Sequence, residues 1–148
     1  MEDTLIICIG NGKIAGDSIG PEVGSLINKS EILRNTKIIG TKNNPVDYEK
    51  LYFINKTMLY KNKAKIILID SALGSSKNIG KVIITNKKSK IANCVNQGIE
   101  VEANFIIRGI VGKNHQNVYK NREELKMVDT KLMRQVVNKI IEVLMFIV

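Results

Sequence analysis

The 148-residue chain has no tryptophan, one histidine, two cysteines and two prolines. The cysteines, Cys8 and Cys94, are too few for a disulfide framework, and no CxxC spacing indicates a structural zinc site. No stretch approaches the roughly 18 uninterrupted apolar residues that a membrane-spanning helix needs. The acidic start of the chain also lacks the basic flank of a signal peptide. We therefore expect a cytoplasmic protein without disulfides and without a membrane partner.

Acidic residues are also scarce relative to basic ones: 14 Asp and Glu stand against 23 Lys and Arg, a formal charge of +9. Such an excess of positive charge makes nucleic acid a candidate partner. However, only four of the basic residues are arginine, the preferred base-reading side chain, and aromatic residues for base stacking make up only 5%. The composition therefore disfavours nucleic acid. Its hydrophobic share of 44% and its length predict one globular domain over residues 1–148.

Short apolar runs alternate with helical patterns along the chain. The runs predict buried strands at residues 4–9, 37–40, 65–70, 81–85 and 104–111. Helices are expected from Pro21, from Pro45 and after Asp129, a residue suited to the N-cap. This alternation predicts the α/β class, as a three-layer α/β/α sandwich of the phosphorylase/hydrolase-like kind, whose central sheet has about five mostly parallel strands.

Two aspartates stand where predicted strands end. Asp17 lies in the loop after the first strand, and Asp70 ends the run at 65–70, before an expected turn at 71–76. Ligands of open α/β sheets bind beyond the carboxyl ends of the strands, so both side chains should lie at one edge. Paired carboxylates can share a proton and activate water, or hold a divalent metal. Structural roles are also open: Asp17 would cap the next helix, and Asp70 would accept hydrogen bonds from loop amides.

Several short motifs follow one another as they do in the YyaC-type spore proteases, which the chain resembles over nearly its whole length. They are Cys8-Ile9-Gly10, Gly16-Asp17-Ser18-Ile19-Gly20-Pro21, Val23-Gly24, Gly40-Thr41, Pro45-Val46, Ile67-Leu68-Ile69-Asp70-Ser71-Ala72-Leu73-Gly74, Ile79-Gly80, Gly109-Ile110-Val111 and Asp129-Thr130-Lys131-Leu132. The resemblance implies the fold of germination proteases and hydrogenase maturation endopeptidases. It also implies a role in sporulation or germination, in the mother cell or forespore of a spore-forming bacterium.

The same resemblance implies roles for individual residues. Catalysis would fall to Asp17 and Asp70, which match the acids of the germination proteases. The substrate would be a protein or peptide, and the expected substrate-binding residues are Gly40, Thr41, Asp47 and Gly74. Asp47 replaces the histidine that relatives usually carry after the Pro-Val pair, so it would either add a third carboxylate or mark a lost role.

The maturation endopeptidases also use a histidine metal ligand, in a loop that would span residues 86–103 here. That segment has no histidine, and His115 lies in a polar turn where we expect it to be solvated, so we expect neither a metal nor another cofactor. The leading hypothesis is an aspartate-dependent endopeptidase. The alternative, suggested by Asp47, is a catalytically silent binding or scaffold protein in the spore-forming cell. The apolar face of the last helix leaves a homodimer open.

Overall fold

The computed structural model describes residues 4–30, 33, 35–54, 64–86, 89–91 and 98–148; Cys94 and the later part of the helix expected from Pro45 lie outside these ranges. The strands are β1 (Thr4–Cys8), β2 (Thr36–Ile39), β3 (Lys65–Gly74), β4 (Val82–Thr85), β5 (Ser89–Ile91), β6 (Ile99–Val101) and β7 (Phe105–Lys113). The helices are α1 (Ile19–Asn28), α2 (Tyr48–Ile54), α3 (Val118–Lys126) and α4 (Thr130–Ile147).

Five of these strands form the central sheet, in the order β2-β1-β3-β7-β4. All neighbouring pairs are parallel except β4 and β7, which are antiparallel. A separate antiparallel pair joins β5 and β6. The predicted sheet of about five mostly parallel strands is therefore confirmed.

Apolar side chains of the sheet fill a core on each face. On one face, Ile6 and Cys8 of β1 lie in a cluster with residues from α1, α3 and α4. On the other face, Leu5 and Ile7 lie in a second cluster that includes Leu51 of α2. Because successive residues of a strand point to opposite faces, burial on both sides produces the continuous apolar runs seen in the sequence. The three-layer arrangement is confirmed.

Most predicted boundaries differ by a few residues from the structure, and two of the differences lie near the acids. Helix α1 begins at Ile19 rather than at Pro21, which sits in the first helical turn, where a missing N–H leaves no bond unmade. Strand β3 does not stop at Asp70 but continues to Gly74. Its partner β7 keeps pairing with it across a register shift between Ala72 and Leu73, so backbone pairing outweighs the local turn signal of the serines and glycine.

Helix α4 begins as expected, because the Asp129 side chain accepts a hydrogen bond from the N–H of Leu132 at 2.8 Å. No helix in the described ranges is both long and apolar enough to cross a membrane. The end of α4 leaves Phe146 93% exposed, and the homodimer stays a prediction.

Candidate active site

Asp17 closes the loop that leaves β1. The loop ends in a single 3-10 turn, Ala15–Asp17, and the Oδ2 atom of Asp17 accepts a hydrogen bond from the N–H of Asn11 at 3.0 Å. A Cβ at Gly10 would lie 2.1 Å from the Asp17 carbonyl oxygen, so only glycine allows the loop to close this tightly. Ser18, not Asp17, occupies the N-cap position of α1, and no side chain caps that helix. Helix capping is therefore not the role of Asp17.

Asp70 lies next to the start of this loop. It is only 6% exposed, and its Oδ1 atom accepts a hydrogen bond from the N–H of Ser71 at 2.8 Å. Strand β1 ends at Cys8, opposite Ile69, and the N–H of Ile9 donates to the Ile69 carbonyl oxygen at 2.8 Å. The end of β1 is thus held against β3 directly before Asp70, although Asp70 itself lies within its strand.

The two carboxyl groups have unusual proton affinities. Burial raises the pKa of Asp17 to about 6, although the hydrogen bond from Asn11 works in the opposite direction. Burial is also the largest cause that raises the pKa of Asp70 well above its ordinary value, and the negative charge of Asp17 raises it further. The fold therefore brings the two predicted acids within electrostatic reach of each other. Near neutral pH, such a pair offers one ionised and one protonated carboxyl group.

Arg108 is a third charged residue of the site, and the sequence reasoning did not single it out. It lies on β7 in register with Asp70, and its positive charge lowers the pKa of that carboxyl group. A charged residue inside an apolar run that forms a buried strand is rare unless it is paired. That rule could have marked Arg108 within the predicted strand, but the identity of its partner depends on the register of two distant segments.

The expected substrate-binding residues are spread over a wider region. Gly40 has a φ of 97°, and a Cβ there would lie 2.0 Å from the carbonyl oxygen of Cys8, so close packing against β1 explains this glycine. The Thr41 hydroxyl accepts a hydrogen bond from the N–H of Asn44 at 3.2 Å. Gly74 ends β3, beyond Asp70 along the strand. Gly40 and Thr41 directly follow β2, which pairs with β1. Gly74, in contrast, lies at the end of β3, where that strand still pairs with β7.

Asp47 is exposed and its side chain serves α2. Its Oδ1 atom accepts a hydrogen bond from the N–H of Lys50 at 2.9 Å, as an N-cap residue would. The preceding residue, Val46, accepts a hydrogen bond from the N–H of Gly10 at 2.9 Å. The backbone of this segment therefore lies beside the site, whereas the carboxylate of Asp47 is engaged in holding the helix terminus.

The described residues of the site offer few ligands for a divalent metal. Within the described ranges, no three His, Cys, Asp or Glu side chains converge as metal ligands would. Asp17 and Asp70 supply two carboxylates, far fewer than the roughly six to eight oxygen ligands that surround Ca²⁺. The positive charge that Arg108 directs at Asp70 also opposes a second cation.

His115 lies in a loop, as predicted, but its side chain is less solvated than expected. Its side chain is only 28% exposed, and its Nε2 atom lies 3.2 Å from Oε2 of Glu124 on α3. Glu124 also accepts a hydrogen bond from the N–H of Lys113 at 2.9 Å, and these contacts lower the pKa of its carboxyl group. His115 therefore ties the loop after β7 to α3. Neither His115 nor Glu124 is among the groups that shift the pKa of Asp70.

A groove of about 470 Å³ runs between α1 and α4. Ala15 and Ser18 line one end of the groove. In the sequence these two residues flank Asp17 and the buried Gly16. Leu26 and Met133 contribute apolar surface, and the volume is in the range of ordinary ligand pockets. The groove thus lies next to the turn of Asp17, although neither Asp17 nor Asp70 lines it.

Solved structures of two archaeal enzymes have a similar fold. The NiFe hydrogenase maturation protease HybD from Thermococcus kodakarensis is 13% identical, with 98% of each chain covered and a TM-score of 0.59. The maturation protease HycI from T. kodakarensis KOD1 is 15% identical, with 96% of this chain and 89% of that chain covered and a TM-score of 0.60. At these identities the likeness shows the fold alone, and it confirms the predicted similarity in fold to hydrogenase maturation endopeptidases.

At the level of sequence, the chain is 31% identical over 111 residues to "Uncharacterized protein YyaC" of Bacillus subtilis (strain 168). The match covers 72% of this chain and 52% of YyaC, so the chain spans about half the length of that relative. The YyaC-type resemblance is thereby confirmed. The profile of the family "Protein of unknown function (DUF1256)" matches residues 1–140. The chain belongs to the DUF1256 family.

Proposed function

We propose that the protein is an aspartate-dependent endopeptidase that cleaves a protein or peptide substrate during sporulation or germination. The observation that carries the proposal is the buried pair of Asp17 and Asp70 beside the end of β1, with the charge of Asp17 acting on Asp70. The fold shared with hydrogenase maturation proteases supports it, since that fold is compatible with peptide hydrolysis. The likeness to YyaC of Bacillus subtilis supports a spore-forming bacterium as the setting, and we place the protein in its cytoplasm.

In this mechanism Asp17 is the base and Asp70 is the acid. Asp17 is the less buried of the two, and with a pKa of about 6 its carboxylate is ionised at neutral pH. It takes a proton from a water molecule, whose oxygen attacks the carbonyl carbon of the peptide bond, while Asp70 gives its proton to the carbonyl oxygen. When the C–N bond breaks, Asp17 passes its proton to the leaving nitrogen and a hydroxyl proton returns to Asp70.

The groove between α1 and α4 offers a place only for a part of the substrate that flanks the Asp17 turn, because Asp70 faces the opposite side of the sheet. It reaches the turn of Asp17 and includes Arg134, and its Lys42 is paired with Glu22 at 2.9 Å. A flanking segment of the substrate in this groove would keep its side chains near Leu26 and Met133. Gly40, Thr41, Asp47 and Gly74 stay in the proposal as contacts of a longer substrate.

The test uses the purified full chain and a small spore protein as substrate, with fragments identified by mass spectrometry. Wild-type protein should release defined fragments. Asp17→Asn and Asp70→Asn should each slow cleavage by about 100-fold or more, the usual contribution of a general acid or base. Asp129→Asn is the matched control, because Asp129 is an exposed helix cap and asparagine caps a helix as well as aspartate.

Cleavage that survives both site substitutions would overturn the mechanism. The alternative of a silent binding protein is tested in a deletion strain. If the double variant Asp17→Asn, Asp70→Asn restores sporulation as well as wild type does, the protein acts without this chemistry. If the folded double variant fails to restore it, the acid pair is required.

A further inference from the structure

Asp70 and Arg108 lie side by side in the middle of the central sheet. Their Cα atoms are register partners on the parallel strands β3 and β7. Neighbouring strands are about 4.8 Å apart, which brings residues in register into direct reach of each other when their side chains point the same way.

The core clusters show that these two side chains do point the same way. Ile66 and Leu68 precede Asp70 at alternate positions of β3, and both lie in the cluster on the α2 face. Ile106 precedes Arg108 by the same alternation on β7 and lies in the same cluster. Because alternate residues of a strand share a face, the Asp70 carboxyl group and the Arg108 guanidinium project from the same side of the sheet.

We propose that Arg108 is a positioning residue that acts through Asp70 and sets the pH range in which the acid pair carries a single proton. The inference builds on the acid pair of the proposed function. Its electrostatic content, however, can be measured whether or not the protein cleaves a peptide.

The charges of the cluster explain why Arg108 would have this effect. When Asp17 and Asp70 share one proton, they carry one negative charge, which the positive charge of Arg108 balances. Burying a neutral cluster costs far less free energy than burying a net charge. Without Arg108, the singly protonated pair would be a buried anion, and both protonation steps would move to higher pH.

Few other charged groups affect the pKa of Asp70. Among the described residues, Asp17 from the loop after β1 and Arg108 from β7 are the charged groups that act on Asp70, together with the N–H of Ser71. Cys8 of β1 lies in the cluster on the opposite face, and burial raises the pKa of its thiol, which keeps it neutral. Burial has the largest effect on the titration of Asp70, and the opposing charges of Asp17 and Arg108 adjust it further.

The experiment follows the carboxyl carbon of Asp70 by NMR during a pH titration of the full chain. Arg108→Gln should raise the apparent pKa of Asp70 by about one pH unit, the lower end of the effect of a neighbouring charge. Arg108→Lys keeps the charge and should recover most of the shift. Arg122→Gln is the control, since Arg122 is an exposed arginine on α3 outside the site.

If Arg108→Gln does not fold, Arg108→Met replaces it, because an unbranched apolar side chain suits the apolar face on which Ile106 lies. An unchanged Asp70 titration in a folded, uncharged variant would overturn the inference. Where cleavage is observed, its pH profile should move upward with the same variant. A shifted titration in a protein that cleaves nothing would refute the proposed function and leave the role of Arg108 standing.

Discussion

The carboxylate of Asp17 and the backbone N–H of Asn11 form a hydrogen bond of 3.0 Å across the loop between β1 and α1. This bond favours the ionised carboxylate, whereas burial of the side chain favours the neutral form. Burial has the larger effect, since the pKa rises to about 6. The negative charge of Asp17 thus strengthens the hydrogen bond from Asn11, whereas the burial of the side chain disfavours that charge.

The first prediction concerns stability as a function of pH. Because the pKa of Asp17 is higher in the folded state, the folded protein keeps a proton that the unfolded chain releases between about pH 4 and pH 6. The free energy of unfolding should therefore fall as pH rises through this window, by up to about 3 kcal/mol for Asp17. Urea unfolding at a series of pH values measures it.

Asp17→Asn should remove this part of the pH dependence, because the amide oxygen still accepts a hydrogen bond from Asn11 but carries no charge. The variant should gain stability relative to wild type as the pH rises from about 4 to 7. Parallel stability curves for the two proteins would contradict the raised pKa. Asp129→Asn, at an exposed helix cap, should run parallel to wild type.

The second prediction concerns the coupling of the two acids. Since the negative charge of Asp17 helps to raise the pKa of Asp70, Asp17→Asn should lower it. An NMR titration of the Asp70 carboxyl carbon measures the change. Asp47→Asn should leave that titration unchanged, because Asp47 is exposed and is not among the groups that act on Asp70. An Asp70 titration that is identical in wild type and Asp17→Asn would show that the two carboxyl groups do not interact.

The third prediction concerns the contact between α1 and β2. Alanine normally stabilises a helix interior relative to glycine by about 1 kcal/mol. At Gly24, however, a Cβ would lie 1.8 Å from the carbonyl oxygen of Gly40, so Gly24→Ala should destabilise the protein by about 1–3 kcal/mol or more. Gly12→Ala is the control, because nothing lies within 4 Å of a Cβ there. Denaturant unfolding compares them, and equal midpoints would contradict the close approach.

Much of the fold followed from local patterns. The apolar runs that contain Ile6 and Ile67 predicted β1 and β3, because a strand that is buried on both faces has apolar residues at consecutive positions. Asp129 marked the start of α4, because a helix terminus needs a side chain to accept its free N–H groups. Both patterns lie within a few neighbouring residues, so these elements could be predicted without knowledge of distant contacts.

The surroundings of Asp17 and Asp70 could be predicted from the sequence only in part. Asp17 and Asp70 were expected at one edge because parallel strands share their carboxyl ends. Their burial depends on which segments cover them, and the placement of Asp70 within β3 depends on the continued pairing with β7. Neither property is encoded next to the residue itself.

The largest differences lie where one residue meets another far along the chain. Local pattern and composition were sufficient for the α/β class, most of the strands and the two candidate acids. Tertiary structure alone placed Arg108 beside Asp70, turned Asp47 toward α2 and joined His115 to Glu124. The physical reason is that strand register and helix docking minimise the free energy of the whole core, so a charged side chain acquires its partner, and its proton affinity, only when the chain has folded.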